Sequence, residues 1–254
     1  MNSISKRIGY LTLIIIILFV SFSCNKNDVT PGGNTRGGIA LTFDDYSIDN
    51  WYRYINVLDS LGAKATFYIS NYNKLTVEQK NKLHDIQKRG HEIAFHSTNH
   101  VNFVKYADSA GCNKLIKKEI ADGLRMMNND GFYPTTFAYP YGQHNDKLDK
   151  LLLKHFKSVR ALNGTQDLSR SLSSIGNNQL IFGLGIDESS KRDLGKIEGL
   201  LYLAQQRNSC ATLLVHNIER NDIKMQLPLW KLKEIILTAK SLSLKFYTIS
   251  EISK

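Results

Sequence analysis

From residue 39 onward, short apolar runs alternate with longer segments whose apolar residues fall at helical spacing, and this rhythm limits the fold more than any single motif. Strands are expected over 39–43, 65–69, 91–95, 135–138, 158–162, 180–186, 211–215 and 245–249. Helices are expected over 48–61, 76–89, 108–129, 146–155, 193–207 and 228–242. The boundaries carry their own chemistry: Thr76 and Asn145 can cap helices, Gly62 and Gly90 can end them, and Pro228 suits a first helical turn. Strand following helix throughout argues for βα units around a parallel sheet. With seven or eight such units in a single domain, a closed or nearly closed, distorted (β/α) barrel leads, and an open doubly wound sheet is the alternative. The glycine-rich turns of dinucleotide or phosphate sites are missing.

The N-terminus is organised differently. Lys6 and Arg7 precede an apolar run over residues 8–20 and then Ser21-Phe22-Ser23-Cys24, the layout of a signal peptide with its cleavage site. A cysteine directly after that site resembles a bacterial lipoprotein signal. Residues 1–23 are therefore expected to be removed and Cys24 to carry lipid at the cell envelope, outside the cytoplasm; an ordinary secretory signal or an uncleaved anchor is the alternative. Residues 24–37, polar with several Asn and Gly, read as a flexible tether before a domain at 38–254. Cys112 and Cys210 remain, either bridged or as separate thiols. The formal charge of +10 comes from lysines scattered over many helices, with no arginine-rich block, which speaks against nucleic acid and suits anionic envelope polymers. A monomer is expected.

Barrel chemistry gathers at the C-terminal ends of parallel strands. The polar residues there are Asp44 and Asp45 after the first strand, His96 and His100 after the third, the turn Tyr139-Pro140-Tyr141-Gly142 after the fourth, and His216 after the seventh. Asp45, His96 and His100 offer one oxygen and two nitrogens, a set suited to a divalent ion, zinc first, with cobalt or manganese as alternatives. Asp44 could take a proton from water at that ion, and His216 could give one to a leaving group. Such a set describes hydrolysis of an acyl bond. Trp51 and Trp230 sit at helical spacing and read as core; His84, His91, His144 and His155 read as structural, with His144 placed to face the cleft.

These residues, in this order, resemble the motifs of the polysaccharide deacetylases, carbohydrate esterase family 4 with its NodB-homology domain: Thr42-Phe43-Asp44-Asp45, His96-Ser97-Thr98-Asn99-His100, Tyr139-Pro140-Tyr141-Gly142 and Leu213-Leu214-Val215-His216. The resemblance spans roughly residues 38 to 250. It implies removal of acetyl groups from N-acetylglucosamine polymers, with Asp44 as base, Asp45, His96 and His100 as metal ligands, His216 as acid, and the Tyr141 backbone N–H at the oxyanion. The Tyr-Pro-Tyr-Gly form resembles the branch acting on poly-β-1,6-N-acetylglucosamine. Two departures stand out. Ala138 occupies the place where many members carry an arginine that steadies the base, and the aspartate motif that tunes the acid histidine is not visible, although Asp187 lies in its region. An O-acetyl polysaccharide esterase and a non-catalytic carbohydrate-binding lipoprotein are the alternative readings.

Overall fold

The structure, a computed structural model, describes residues 37–220 and 222–253. The signal peptide, Cys24 and nearly all of the expected tether lie outside the described residues. Seven parallel strands close on themselves: β1 (Gly38–Asp45), β2 (Ala65–Ile69), β3 (Glu92–Phe95), β4 (Thr136–Ala138), β5 (Ser158–Leu162), β7 (Leu180–Gly185) and β8 (Cys210–Val215) pair in that order, and β8 returns to β1 from Gly38↔Cys210 to Phe43↔Val215. A two-residue strand, β6 (Leu172–Ser173), adds antiparallel to β8. The barrel is distorted where ladders are short: β3 meets β4 at the single pair Phe95↔Phe137, and β7 reaches β8 only at Leu184 and Gly185.

Strict alternation along each strand sorts side chains between two cores. Outward residues such as Phe43, Phe67, Phe95, Phe137, Val159 and Leu213 pack under the helices in one large apolar cluster. Inward residues form a smaller cluster containing Ala40, Tyr68, Ala94, Ala138 and Ile181. Each fully buried large apolar side chain contributes about 1.5–3 kcal/mol, so the outer layer holds the barrel together and the inner positions are free to carry polar groups. Thr42, Asp44, Thr66, Thr136 and Arg160 are buried polar residues on these strands, and with the half-buried Glu92 they share inward parity with the small cluster.

The expected strand at 245–249 is only Lys245–Phe246, paired to the start of β1. Thr248 and Glu251 form a capping box that starts the helix Ile249–Ile252 instead, a competing signal in Thr-Ile-Ser-Glu. The expected helix over 108–129 is two: Phe103–Ala110, capped by Asn102, ends at Gly111, and a second runs from Cys112 to Asn129 with a π-helical turn at Ile116–Ala121. Gly111, at φ 82°, accepts the break. Trp51 is core, as expected, but Trp230 is 60% exposed. It lies on the same stripe as the exposed Leu237, opposite Leu232, Ile235, Ile236 and Ala239, which face the barrel. Cys112 and Cys210 are separate free thiols. Among the described residues no helix is long and apolar enough to cross a membrane.

Candidate active site and metal centre

The C-terminal rim of the barrel opens into a cavity of about 290 Å³ lined by Asp44, Asp45, His96, His100, Tyr141 and His216, with Leu162, Leu214 and Met225 as its apolar wall. All six expected site residues therefore converge on one cleft. Parity alone would send Asp45 outward, since Asp44 already points in. The left-handed backbone at Asp45 (φ 88°) breaks the alternation, and both carboxylates end up in the same cavity. Ser97, His100 and Tyr141 also have positive φ, so four residues in three turns at this rim hold conformations that side chains rarely adopt.

One ligand atom each from Asp45, His96 and His100 lies within 4.8 Å of the others. Asp45 Oδ1 is 3.1 Å from His100 Nε2 and 3.7 Å from His96 Nε2, and this buried oxygen has no hydrogen-bond donor in suitable geometry. His96 Nδ1 lies 2.8 Å from the Ala138 carbonyl, which can only accept, so the proton sits on Nδ1 and the Nε2 lone pair faces the cavity. Burial holds the His96 pKa at about 4 against the opposing pull of Asp44 and Asp45, which keeps the ring neutral at working pH. Burial also works to raise Asp45, but His100, His96 and His216 outweigh it and hold the carboxyl at about 2. An orphaned buried carboxylate oxygen facing two imidazoles is a donor set that fits a divalent cation.

The histidine loop is held from outside the barrel. At the π-helical turn, Glu119 O accepts from Thr98 N–H (3.1 Å), while its carboxylate accepts from Asn99 N–H (2.9 Å) and Asn99 Nδ2 (2.9 Å). The widened turn frees the Glu119 carbonyl for that loop, a use for which such turns recur at functional sites. Glu119 is 2% exposed, so its loss would strand a buried N–H. We expect Glu119→Ala to weaken divalent-metal affinity about 10- to 100-fold, as outer-shell partners of metal ligands usually do; unchanged affinity by calorimetry would refute this role.

His216 stands across the cleft. Its Nδ1 is 2.6 Å from Asp187 Oδ2, its backbone N–H donates to Asp187 Oδ1 (3.1 Å), and Trp51 Nε1 donates to its carbonyl (2.7 Å). Burial would lower the His216 pKa, yet the bond to Asp187 and the charges of Asp44, Asp187 and Asp45 raise it overall. Asp187, whose region the sequence suggested without placing it, is therefore the partner of His216. Asp44 contacts Nη2 of Arg160 through both oxygens, at 2.6 and 2.5 Å, and lies 3.8 Å from His96 Nε2. Sequence reasoning passed over Arg160, a lone cation inside a strand. The turn after β4 is braced by Asp149, which accepts from Tyr139 OH (2.8 Å) and meets His144 Nδ1 (2.9 Å). A Cβ at Gly142 (φ 67°) would come within 2.2 Å of Leu162 Cβ, so only glycine fits there.

Two buried histidines make the metal-free fold acid-sensitive. Burial lowers His91 and takes His96 to about 4, both below the ordinary 6.5. The unfolded chain then binds these protons first, so their contribution is complete above about pH 6.5 and is lost as pH falls toward 4. For His96 alone the loss is on the order of 3 kcal/mol. Chelated protein should melt at progressively lower temperature through that window, with a shallower slope in His96→Gln; a flat profile would contradict the assignment.

A parallel barrel with an Asp-His-His cluster and an Asp-backed histidine at its C-terminal rim is a candidate active site with room for a metal. Comparison narrows it. A family model described as "Polysaccharide deacetylase" matches residues 32–156. Peptidoglycan-N-acetylglucosamine deacetylase PgdA of Listeria monocytogenes is 28% identical over 121 residues, 46% of this chain and 24% of that protein. Peptidoglycan-N-acetylglucosamine deacetylase of Bacillus cereus is 32% identical over 123 residues, 46% of this chain and 52% of that protein. The chain thus spans about a quarter of the length of the first of these relatives and about half of the second. The solved structure of peptidoglycan deacetylase PdaC from Bacillus subtilis superposes with a TM-score of 0.57 at 20% identity, covering 85% of this chain and 90% of that one, a likeness of fold. Over its N-terminal half the chain is thus similar to polysaccharide deacetylases.

Proposed function

We propose that the chain is a metal-dependent hydrolase that removes N-acetyl groups from an N-acetylglucosamine-containing polysaccharide of the cell envelope or extracellular matrix. The observation that supports this best is the convergence of Asp44, Asp45, His96, His100 and His216 on one cleft, with Asp187 behind the histidine. Asp45, His96 and His100 would hold the divalent ion. Bound there, it would supply Lewis acidity toward the acetamide carbonyl and favour deprotonation of water. Asp44, held by Arg160 in the cleft, takes the proton of the attacking water. Nδ1 of His216 is engaged by Asp187, which leaves Nε2 to deliver a proton to the departing amine. The Tyr141 backbone N–H, on a left-handed turn, serves the developing oxyanion. Leu162, Leu214 and Met225 give the acetyl methyl an apolar wall.

The relatives named above are deacetylases of peptidoglycan, which agrees with a substrate of this class and with action outside the cytoplasm. The Tyr139-Pro140-Tyr141-Gly142 turn favours the poly-β-1,6-N-acetylglucosamine branch. In this reading lipid on Cys24 tethers a monomer at the envelope, and zinc is the preferred ion. The reading is tested by an acetate-release screen of the metal-reloaded protein on peptidoglycan, chito-oligosaccharides, poly-β-1,6-N-acetylglucosamine and O-acetylated xylan. Release from an N-acetylated glycan is expected. Release from xylan alone would make the protein an O-acetyl esterase, and glycan binding without release under any metal would make it a binding module.

A further inference from the structure

Among the described residues, one sulfur atom belongs to an exposed side chain. Met127 is fully buried, Met126 and Cys112 are half-buried, and Cys210 lies in the core, where burial pushes its thiol well above the ordinary range and leaves it unreactive. Met225 is 44% exposed, and it lines the same cavity as Asp45, His100 and His216. Its place there is built. The Lys224 carbonyl accepts from Ser189 N–H (3.0 Å), the Met225 carbonyl accepts from Asn217 Nδ2 (3.0 Å), and Gln226 Nε2 donates to Glu188 (2.6 Å). Gln226 and Leu227 are buried and pair with Asn217 and Ile218. The strap over 224–227 is thus tied on one side to the turn that follows Asp187 and on the other to the chain just after His216. It holds the Met225 side chain in the cavity wall, half open to solvent. A thioether reacts with oxidants according to its exposure, and the sulfoxide it becomes is polar.

We propose that Met225 is an oxidation-sensitive site in the wall that faces the acetyl group, and that its conversion to the sulfoxide by hydrogen peroxide weakens binding of that group. In this step the sulfur gives two electrons to the peroxide O–O bond; one oxygen bonds to sulfur and the other leaves as water. The S=O dipole then stands beside Leu162 and Leu214, the apolar partners of Met225 in that wall. The effect on binding rests on the deacetylase reading, whereas the oxidation itself rests on exposure alone.

The test incubates the full chain with zinc, which has no redox chemistry of its own, and treats it with graded hydrogen peroxide. Peptide mass spectrometry should find sulfoxide at Met225 well before Met126 and Met127; either of those reacting as fast would overturn the assignment. At the dose that converts Met225, KM for N-acetylglucosamine oligomers and the dissociation constant of acetate should both rise about 3- to 10-fold, with zinc affinity unchanged. Met225→Leu should show the same two constants before and after peroxide. An unchanged KM or acetate affinity in the oxidised wild type, or an equal loss in Met225→Leu, would overturn the proposal. If the untreated protein releases acetate from no glycan, the deacetylase reading fails by itself, and the order of oxidation together with acetate affinity still decides the role of Met225.

Discussion

Asp45→Ala is expected to abolish tight divalent-metal binding and to lower kcat/KM by at least about 1,000-fold, the scale of losing several kcal/mol of metal-derived charge stabilisation. Asp45 is the one anionic member of the Asp45, His96 and His100 set, and it stays ionised because its carboxyl is held at about 2. Without it, two imidazoles on one loop face an ion with no compensating negative charge. The same change should also lower the metal-free melting temperature somewhat, since the lowered pKa of Asp45 reflects, against the opposing effect of burial, favourable interactions with His100, His96 and His216 in the fold, and alanine tolerates the left-handed backbone there less well than aspartate. Activity lost with metal retained, measured by calorimetry and acetate release on the same preparation, would show that Asp45 acts in some other way.

The second large effect concerns the acid. His216→Ala should cost about 100- to 10,000-fold in kcat, the usual worth of a general acid, with metal affinity essentially intact. Asp187→Asn is the finer test. Burial opposes the protonated ring of His216, and its bond to Asp187 is the largest of the influences that raise the pKa. A raised pKa keeps the acid charged to higher pH, so activity persists further up the pH scale. Removing the Asp187 charge lets burial dominate, and the alkaline limb of the kcat profile should move to lower pH. A limb unmoved in Asp187→Asn, in a protein that folds and binds metal, would separate His216 from the proton-transfer step.

Much of this architecture is legible in the chain because periodicity reports on burial. The runs at 65–69 and 158–162 are strands at their expected bounds, and Thr76 and Asn145 are the caps they promise to be. Asp44, Asp45, His96, His100 and His216 could be found together because strand ends of a parallel barrel meet at one rim. What stayed hidden depends on register or on distant partners. Arg160 meets Asp44 across 116 residues of sequence, and no local pattern reveals a partner that distant. Asp187 belongs to His216 across 29 residues, and Glu119, in Lys-Lys-Glu, looks like a solvated helix face until the π-helical turn brings it under Asn99. Gly111 and the Thr248–Glu251 capping box were readable signals outweighed by longer apolar patterns.

The central claim is that Asp45, His96 and His100 hold one ion on which amide hydrolysis depends. Chelated protein titrated with zinc or cobalt, with bound metal and acetate release from N-acetylglucosamine oligomers followed together, tests it most directly. The account predicts negligible activity without metal, a rise in step with occupancy, and saturation at one equivalent. Full activity in the chelated protein, or one equivalent bound in Asp45→Ala with wild-type affinity, would contradict it.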